Sequence, residues 1–325
     1  MLNKTIVFFR KKTIVFNSIE NVFNVLSQYL VAEKVELPHE SKGLIPRLKN
    51  IRFVLQFNRQ LSHITGHDHY LLWFPFAKKV ILTIHDVEAL KRKSGFKKWL
   101  FKKLWFDIPI RNAKVVTTIS KFSKSEILSL GNYRTPIKVI HNPLTLPLSF
   151  SPQAFNSKEP RILHLGIKKN KNLARTVQAL KGVKCHLIII GNPDTELLNL
   201  LKIDDILHTI RTNLSQEQVI EEYKNCDLVS FVSTYEGFGL PIIEAQAVGR
   251  SVITSNVASM PEVAGSGALL VDPFSVEEIR NGILKIINDS ELRESLIARG
   301  LENIKRFEPA AIAEQYRELY ETINN

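Results

Sequence analysis

Short runs of β-branched and aromatic residues alternate along the chain with longer stretches whose apolar positions recur every three to four residues. The apolar runs Thr5–Phe9, Thr13–Phe16, Tyr70–Trp73, Val80–Ile84, Val115–Ile119 and Lys138–Ile140 predict strands in the first half. Arg161–Leu165, His186–Ile190, Leu228–Val232, Ser251–Thr254 and Ala268–Val271 do so in the second. A helical period marks Ile19–Val31, Lys121–Leu130, Asn172–Leu180, Ser215–Lys224, Pro241–Ala247 and Val276–Asn288. Strands that are wholly apolar and separated by helices predict α/β architecture, with parallel sheets covered on both faces. Between Pro143 and Pro160 the period is lost in a proline-rich stretch, which is linker chemistry. The expected domains are therefore 1–148 and 149–308, both Rossmann-like, with 309–325 a C-terminal helix packing back on the first. Two doubly wound domains facing each other form a cleft at the carboxyl ends of their strands, where open α/β sheets bind ligands.

The length of 325 residues suits two domains, and an apolar fraction of 44% gives each a core. Cys185 and Cys226 are too few for a disulfide framework, and no Cys/His cluster suggests zinc; they read as reduced, buried thiols. Thr5–Phe9 is too short for a signal-peptide core, and no stretch reaches the ~20 apolar residues of a membrane span. The expected location is cytoplasmic, on the cytoplasmic face of a membrane.

The net charge of +12 is unevenly spread, because residues 1–150 hold 25 Lys and Arg against 9 Asp and Glu. A basic half expects an anionic partner: nucleic acid, an anionic membrane or a phosphorylated substrate. No RNP, KH or zinc-finger pattern supports nucleic acid. Lys91–Phe106 interleaves seven basic residues with two Trp, two Leu and three Phe. Such a segment suits an interfacial helix on an anionic bilayer, with Lys97, Lys98, Trp99, Lys102, Lys103 and Trp105 as contacts. The competing reading is a surface helix whose aromatics pack on the domain core.

The richest segment is Ser233-Thr234-Tyr235-Glu236-Gly237-Phe238-Gly239-Leu240-Pro241-Ile242-Ile243-Glu244-Ala245, which reads as strand end, glycine loop and helix. Pro241 suits the start of that helix and Gly249 its end. Gly237 and Gly239 let the backbone approach a ligand closely, and the loop N–H groups with the helix dipole suit a phosphate. Glu244, placed in the first turn, can accept two hydrogen bonds from a vicinal diol such as a ribose. Glu236 sits across the loop, where a sugar on the diphosphate would lie. A glutamate in a first turn often only offsets the helix dipole; it is the whole frame behind one strand that points to a nucleotide site. No GxGxxG follows the first strand of either domain, which argues against a nicotinamide dehydrogenase.

Glu236 to Glu244 resembles the Glu-x7-Glu motif of the retaining glycosyltransferases of GT-B fold, family 4. The likeness runs on through Ala245–Gly249, Ser259-Met260-Pro261-Glu262-Val263 and Gly267–Pro273. It implies that Glu244 binds the ribose hydroxyls and Glu236 contacts the donor sugar. Amides around Gly237, Phe238, Gly239 and Leu240 are implied to hold the diphosphate. His164–Leu173 resembles the family's "G…KN" segment, implying donor contacts from Gly166 and Lys171, whose ammonium would neutralise the leaving group. Many members carry an arginine where Ile167 stands, so Lys168 is the substitute. His85, in Thr83-Ile84-His85-Asp86, resembles the family's "HD" step and is implied to be catalytic. Thr118–Ser123 and Ile140–Pro143 resemble architectural markers. His67-Asp68-His69 has too few ligands for a metal without a third partner and reads as an acceptor-side loop. The chain departs from the family at its start, having no glycine before Gly43, so no donor contact is carried over from residues 1–66.

The resemblance thus implies transfer of a sugar from a nucleotide-diphosphate-sugar to a hydroxyl of a glycan or lipid-linked glycan. Fixed cations and N–H dipoles can stabilise the departing diphosphate; with no Asp-x-Asp present, no metal and no cofactor are expected. A nucleotide-sugar-binding protein without turnover is the alternative, and sugar, base and acceptor are left open.

Overall fold

The computed structural model describes residues 5–11, 18–77 and 79–324. It divides into a unit of Met1–Thr145 with Glu308–Asn325 and a unit of Leu146–Phe307. The expected strand Thr13–Phe16 falls outside the described residues.

The first unit holds six parallel strands: β1 (Thr5–Phe9), β2 (Ala32–Glu36), β3 (Ser62–Ile64), β4 (Val80–Ile84), β5 (Val115–Thr118) and β6 (Ile137–Val139). Their order is β2-β1-β3-β4-β5-β6, so the strand order reverses beside β1. Strands β1, β3, β4 and β5 are buried along their whole length. The edge strand β2, Ala-Glu-Lys-Val-Glu, is partly exposed. It begins at Ala32, so the helix predicted over Ile19–Val31 closes at Leu26.

Tyr70–Trp73 is not a strand. Tyr70, Leu71 and Leu72 lie in a 3-10 turn, His69–Leu72, and are apolar because that turn is buried under the sheet's helices. The strand in this part of the sheet is Ser-His-Ile, whose polar pair escapes an apolar-run search. His63 is satisfied by two distant hydroxyls, Tyr320 Oη and Thr83 Oγ1, each 2.7 Å from a ring nitrogen. Burial pushes its ring down to about 3, which keeps it neutral. Tyr320 belongs to the C-terminal helix Pro309–Asn324, whose Ile312, Tyr316, Leu319 and Ile323 share a core with Val22, Phe23 and Leu26.

The second unit holds β7 (Arg161–Leu165), β8 (His186–Ile190), β9 (His208–Arg211), β10 (Leu228–Phe231), β11 (Ser251–Ser255) and β12 (Leu269–Val271), again all parallel. The order β12-β11-β10-β7-β8-β9 means that the chain runs outward from β7 to β9, then restarts at β10 on β7's other side. Connections leaving β7 and β10 thus turn to opposite faces, opening a crevice at their carboxyl ends. Two helix starts are capped by serines: Ser215 and Gln218 close a reciprocal capping box on Gln216–Asn225, and Ser275 accepts from Glu278 N at the head of Val276–Asn288. Among the described residues no helix is long and apolar enough to cross a membrane.

Candidate functional site

The loops leaving β7 and β10 meet at that crevice, and their residues are laced together. Gly166, the first residue after β7, has φ 87°, and a Cβ there would lie 3.1 Å from Lys171 Cγ. Only glycine suits both the left-handed backbone and the stem of Lys171 folding over it. Asn172 is also left-handed (φ 64°), a conformation asparagine tolerates better than most. Its side chain fixes the turn by donating to Val232 O at 3.0 Å and Pro273 O at 2.7 Å. Thr234 N donates to Asn170 O at 2.8 Å, and Asn170 Nδ2 donates to Tyr235 O at 3.0 Å.

These anchors bring Lys171 Nζ to 2.7 Å from Glu236 Oε1, with Asn170 Nδ2 donating to the same oxygen at 3.2 Å. The ammonium also sits 4.7 Å from the Phe231 ring centroid. Both charged side chains are mostly covered, at 21% and 15% exposure, so the pair is partly desolvated yet open to a small ligand. Lys168 lies at the head of the turn, exposed, and its side chain forms no ion pair among the described residues. Ile167, in the place of the family arginine, packs over Gly191, where a Cβ would come within 2.7 Å of it.

Beyond Glu236 the loop is held by Ser259 Oγ, near Glu236 O (2.9 Å) and donating to Phe238 O at 2.7 Å. Gly239 (φ 109°) opens the helix Leu240–Val248, and no side chain caps that end. Such a terminus offers backbone N–H groups and positive dipole to an anion. Glu244 lies not in the first turn, where the motif predicts it, but is the fifth residue of this helix, on its second turn. There it is buried, and Tyr223 Oη donates to its Oε2 at 2.6 Å. Burial pushes the carboxyl up to about 7, opposed by the Tyr223 hydrogen bond and the Lys171 charge. His164, buried on β7, is pushed down to about 4 by burial and then by the Lys171 charge. A cation, two carboxylates and a helix start without a side-chain cap therefore gather around the loops leaving β7 and β10.

In the first unit, His85 follows β4 and is buried, with its Nε2 2.7 Å from Thr65 O. Ser123 Oγ donates to His85 O at 2.9 Å. Burial pushes His85 to about 4 and His69 to about 3, and also lowers His67; the three rings follow one another at 6.1 and 6.3 Å. Asp68 turns away to accept from Ser41 Oγ, and burial raises its carboxyl to about 6. His69 Nδ1 is engaged by Trp105 O at 2.7 Å. The His-Asp-His stretch is thus spread over separate partners. Among the described residues no three His, Cys, Asp or Glu side chains gather as metal ligands.

The basic aromatic segment forms the helix Gly95–Lys102, which leaves Phe96, Trp99 and Leu100 at 71%, 56% and 39% exposure beside exposed Lys97 and Lys98. Two expected surface contacts face the protein instead. Trp105 packs on the first unit's core, stacked with Phe101 at 5.1 Å and under Arg47 at 4.7 Å. Lys102 Nζ pairs with Asp107 at 2.9 Å. Lys103 is half-buried. Past Lys102 the helix widens to a π turn, Lys103–Asp107, which carries the segment inward onto buried Phe106.

Asn170, Asn172, Tyr223 and Ser259 hold the site's loops and Glu244 in place, and the motif alone does not mark them. The signal for Asn172 lies in its place, an asparagine between a lysine-rich turn and an apolar helix where a left-handed residue is needed. Tyr223 carries no local signal.

Residues 24–146 match the family model "Glycosyltransferase Family 4", and residues 148–303 match "Glycosyl transferases group 1". The chain is 30% identical over 226 residues to O-antigen chain mannosyltransferase B of Escherichia coli, covering 60% of this chain and 57% of that protein's length. It is 25% identical over 257 residues to an uncharacterised glycosyltransferase of Methanocaldococcus jannaschii, covering 75% and 69%. A solved structure of Anabaena HepE in complex with UDP and glucose superposes with a TM-score of 0.80 over 98% of this chain and 100% of that one, at 15% identity. The two six-stranded parallel units are those of the GT-B fold.

Proposed function

We infer, from a chain that belongs to the family 4 glycosyltransferases, that it moves a hexosyl group from a nucleoside-diphosphate sugar to a hydroxyl of a glycan or lipid-linked glycan in polysaccharide biosynthesis. The observation that carries this reading is the meeting of Lys171, Glu236, Glu244 and the uncapped start of Leu240–Val248 at the β7/β10 crevice. The helix N–H groups and Lys171 take the diphosphate, Glu244 takes the ribose diol, and Glu236 lies where the transferred sugar meets the diphosphate. Glu236 pairs with Lys171 and neutralises it. Donor binding gives the ammonium a second anion and releases the carboxylate toward sugar hydroxyls.

Transfer breaks the bond from the anomeric carbon to the phosphate oxygen, and the electron pair leaves with the diphosphate. Lys171 and the helix dipole stabilise that charge, an electrostatic role that needs no metal ion. The acceptor oxygen bonds to the anomeric carbon on the departing face, and its proton passes to the leaving phosphate oxygen, so configuration is retained. His85 is assigned a catalytic role by the likeness of Thr83-Ile84-His85-Asp86 to the family's "HD" step. Mannose is the first sugar to try, because the relative from Escherichia coli is named for it. Incubation with a panel of nucleoside-diphosphate sugars and glycan acceptors tests the assignment. We expect one donor to yield a product of retained anomeric configuration, in the presence of a chelator. Inversion, or turnover abolished by chelation and restored by metal, would overturn the mechanism.

The chain is further assigned to an anionic membrane surface through Phe96, Lys97, Lys98 and Trp99. The helix Leu44–Val54 also exposes Leu44, Ile45 and Leu48, and its Arg47 lies over the Trp105 ring at 4.7 Å. Each basic residue near such a surface contributes about 1 kcal/mol. Flotation with phosphatidylglycerol vesicles should recover the chain at moderate salt; failure to float would remove the membrane from the account.

A further inference from the structure

Away from everything described so far, a cavity of about 820 Å3 opens at the amino-terminal ends of β3, β4 and β5. Its walls include the residues that lead into those strands: Gln60 before β3, Lys79 before β4 and Lys114 before β5. Asn58 and Arg59 come from the turn ahead of β3, and Arg111 from the end of the helix Ile108–Asn112. Ligand crevices in such sheets lie at the carboxyl ends. At ~3.3 Å per residue, strands of three to five residues put this cavity roughly 10–16 Å from those ends.

Among the described residues, four cations, Arg59, Lys79, Arg111 and Lys114, line the cavity, and no carboxylate does. Arg59, Arg111 and Lys114 are exposed, and none of the three forms an ion pair among the described residues. Lys79 Nζ donates to the carbonyl of Asn324, a neutral partner, and forms no ion pair among the described residues. Like charges gathered around one concavity repel each other and favour an anion between them. The volume falls within the usual range for small-molecule sites, roughly 300–1,000 Å3. Phe76 and Ala113 are buried in the core, so Pro75 and Ala77 are the apolar side chains that the lining leaves at the surface. The polar groups that the cavity offers are its cations and the amides of Asn58 and Gln60.

We propose that this cavity is a second anion site, distinct from the β7/β10 crevice, that binds a soluble ligand through two or more linked phosphates. The phosphates sit among Arg59, Arg111 and Lys114 at the mouth, with Lys79 behind them. Isothermal titration of inorganic tripolyphosphate into the full chain tests it, in a Lys171→Ala background that weakens the other anion site. Adding Arg111→Ser and Lys114→Ser should weaken the remaining binding about 25-fold, at fivefold (~1 kcal/mol) per cation for unit charges ~4 Å apart in water. Swapping the pair as Arg111→Lys and Lys114→Arg should restore it, which separates lost charge from lost fold. The idea is overturned if the serine variant binds within twofold of its parent, or if Lys171→Ala alone abolishes tripolyphosphate binding. It is equally overturned if the serine variant keeps tripolyphosphate affinity but no longer floats with phosphatidylglycerol vesicles, because the cations would then serve a lipid headgroup.

Discussion

Replacing Glu244 by glutamine should stabilise the protein while crippling its hold on nucleotide. The carboxyl is buried on Leu240–Val248, and burial raises it from 4.5 to about 7. The folded chain therefore keeps a proton that the unfolded chain releases between pH ~4.5 and ~7. Stability from this group is lost as pH rises through that window, and the cost is fully present above pH 7. At roughly 1.4 kcal/mol per unit the cost is about 3 kcal/mol. Glutamine is neutral at every pH and its amide oxygen can still accept from Tyr223 Oη, now 2.6 Å from Glu244 Oε2. Denaturant melts of both proteins should nearly coincide at pH 4.5. At pH 8 the variant should be the more stable by about 2–3 kcal/mol, allowing for a weaker hydrogen bond to a neutral acceptor. Nucleotide affinity at pH 8 should fall roughly tenfold to a hundredfold, since an amide cannot accept from both hydroxyls of a diol as a carboxylate does. A stability difference that does not change with pH would refute the reasoning. So would a variant that is less stable at pH 8 and binds nucleotide as well as the parent.

In the parent chain, nucleotide affinity measured by titration should weaken about tenfold per pH unit below 7, because Glu244 must first give up its proton, and the Gln variant should lose that slope. Lys171→Ala should lower kcat about 10²–10³-fold, read in a single-donor transfer assay, because the leaving group loses its fixed cation. Gly166→Ala should lower the melting temperature and slow transfer as well, since its Cβ would strain a φ of 87° and displace the Lys171 stem 3.1 Å away. Trp105→Ala should cost about 3–5 kcal/mol in a denaturant melt with vesicle binding retained, whereas Trp99→Ala should leave stability within ~0.5 kcal/mol and weaken flotation.

The sequence shows a strand best where both faces are buried. Val80–Ile84 and His186–Ile190 are runs with a single polar residue each, Thr83 and His186, and their ends match the structure residue for residue. Edge strands β2 and β9, Ala-Glu-Lys-Val-Glu and His-Thr-Ile-Arg, carry polar side chains toward solvent and leave no such run. Strand β3 is hidden for another reason. Its His63 is polar but satisfied by Tyr320, 257 positions away, which no local window contains. Tyr70–Leu72 misleads in the opposite sense, being apolar through burial in a turn rather than in a sheet. At the site, the glycine loop and its two glutamates are visible as a motif, because the chemistry is local to one strand, loop and helix. The Lys171–Glu236 pair and the Tyr223–Glu244 bond are not, because each depends on which elements lie side by side. Trp105 shows the same limit: its composition suits a membrane, but a π turn carries it onto the core.

The most direct test of the central claim is a crystal structure of this chain soaked with a nucleoside diphosphate. The account predicts diphosphate oxygens within hydrogen-bonding distance of Lys171 Nζ and of the backbone at Gly239–Leu240, with the ribose hydroxyls on Glu244. A nucleotide seated elsewhere, with Lys171 still closed on Glu236, would contradict it.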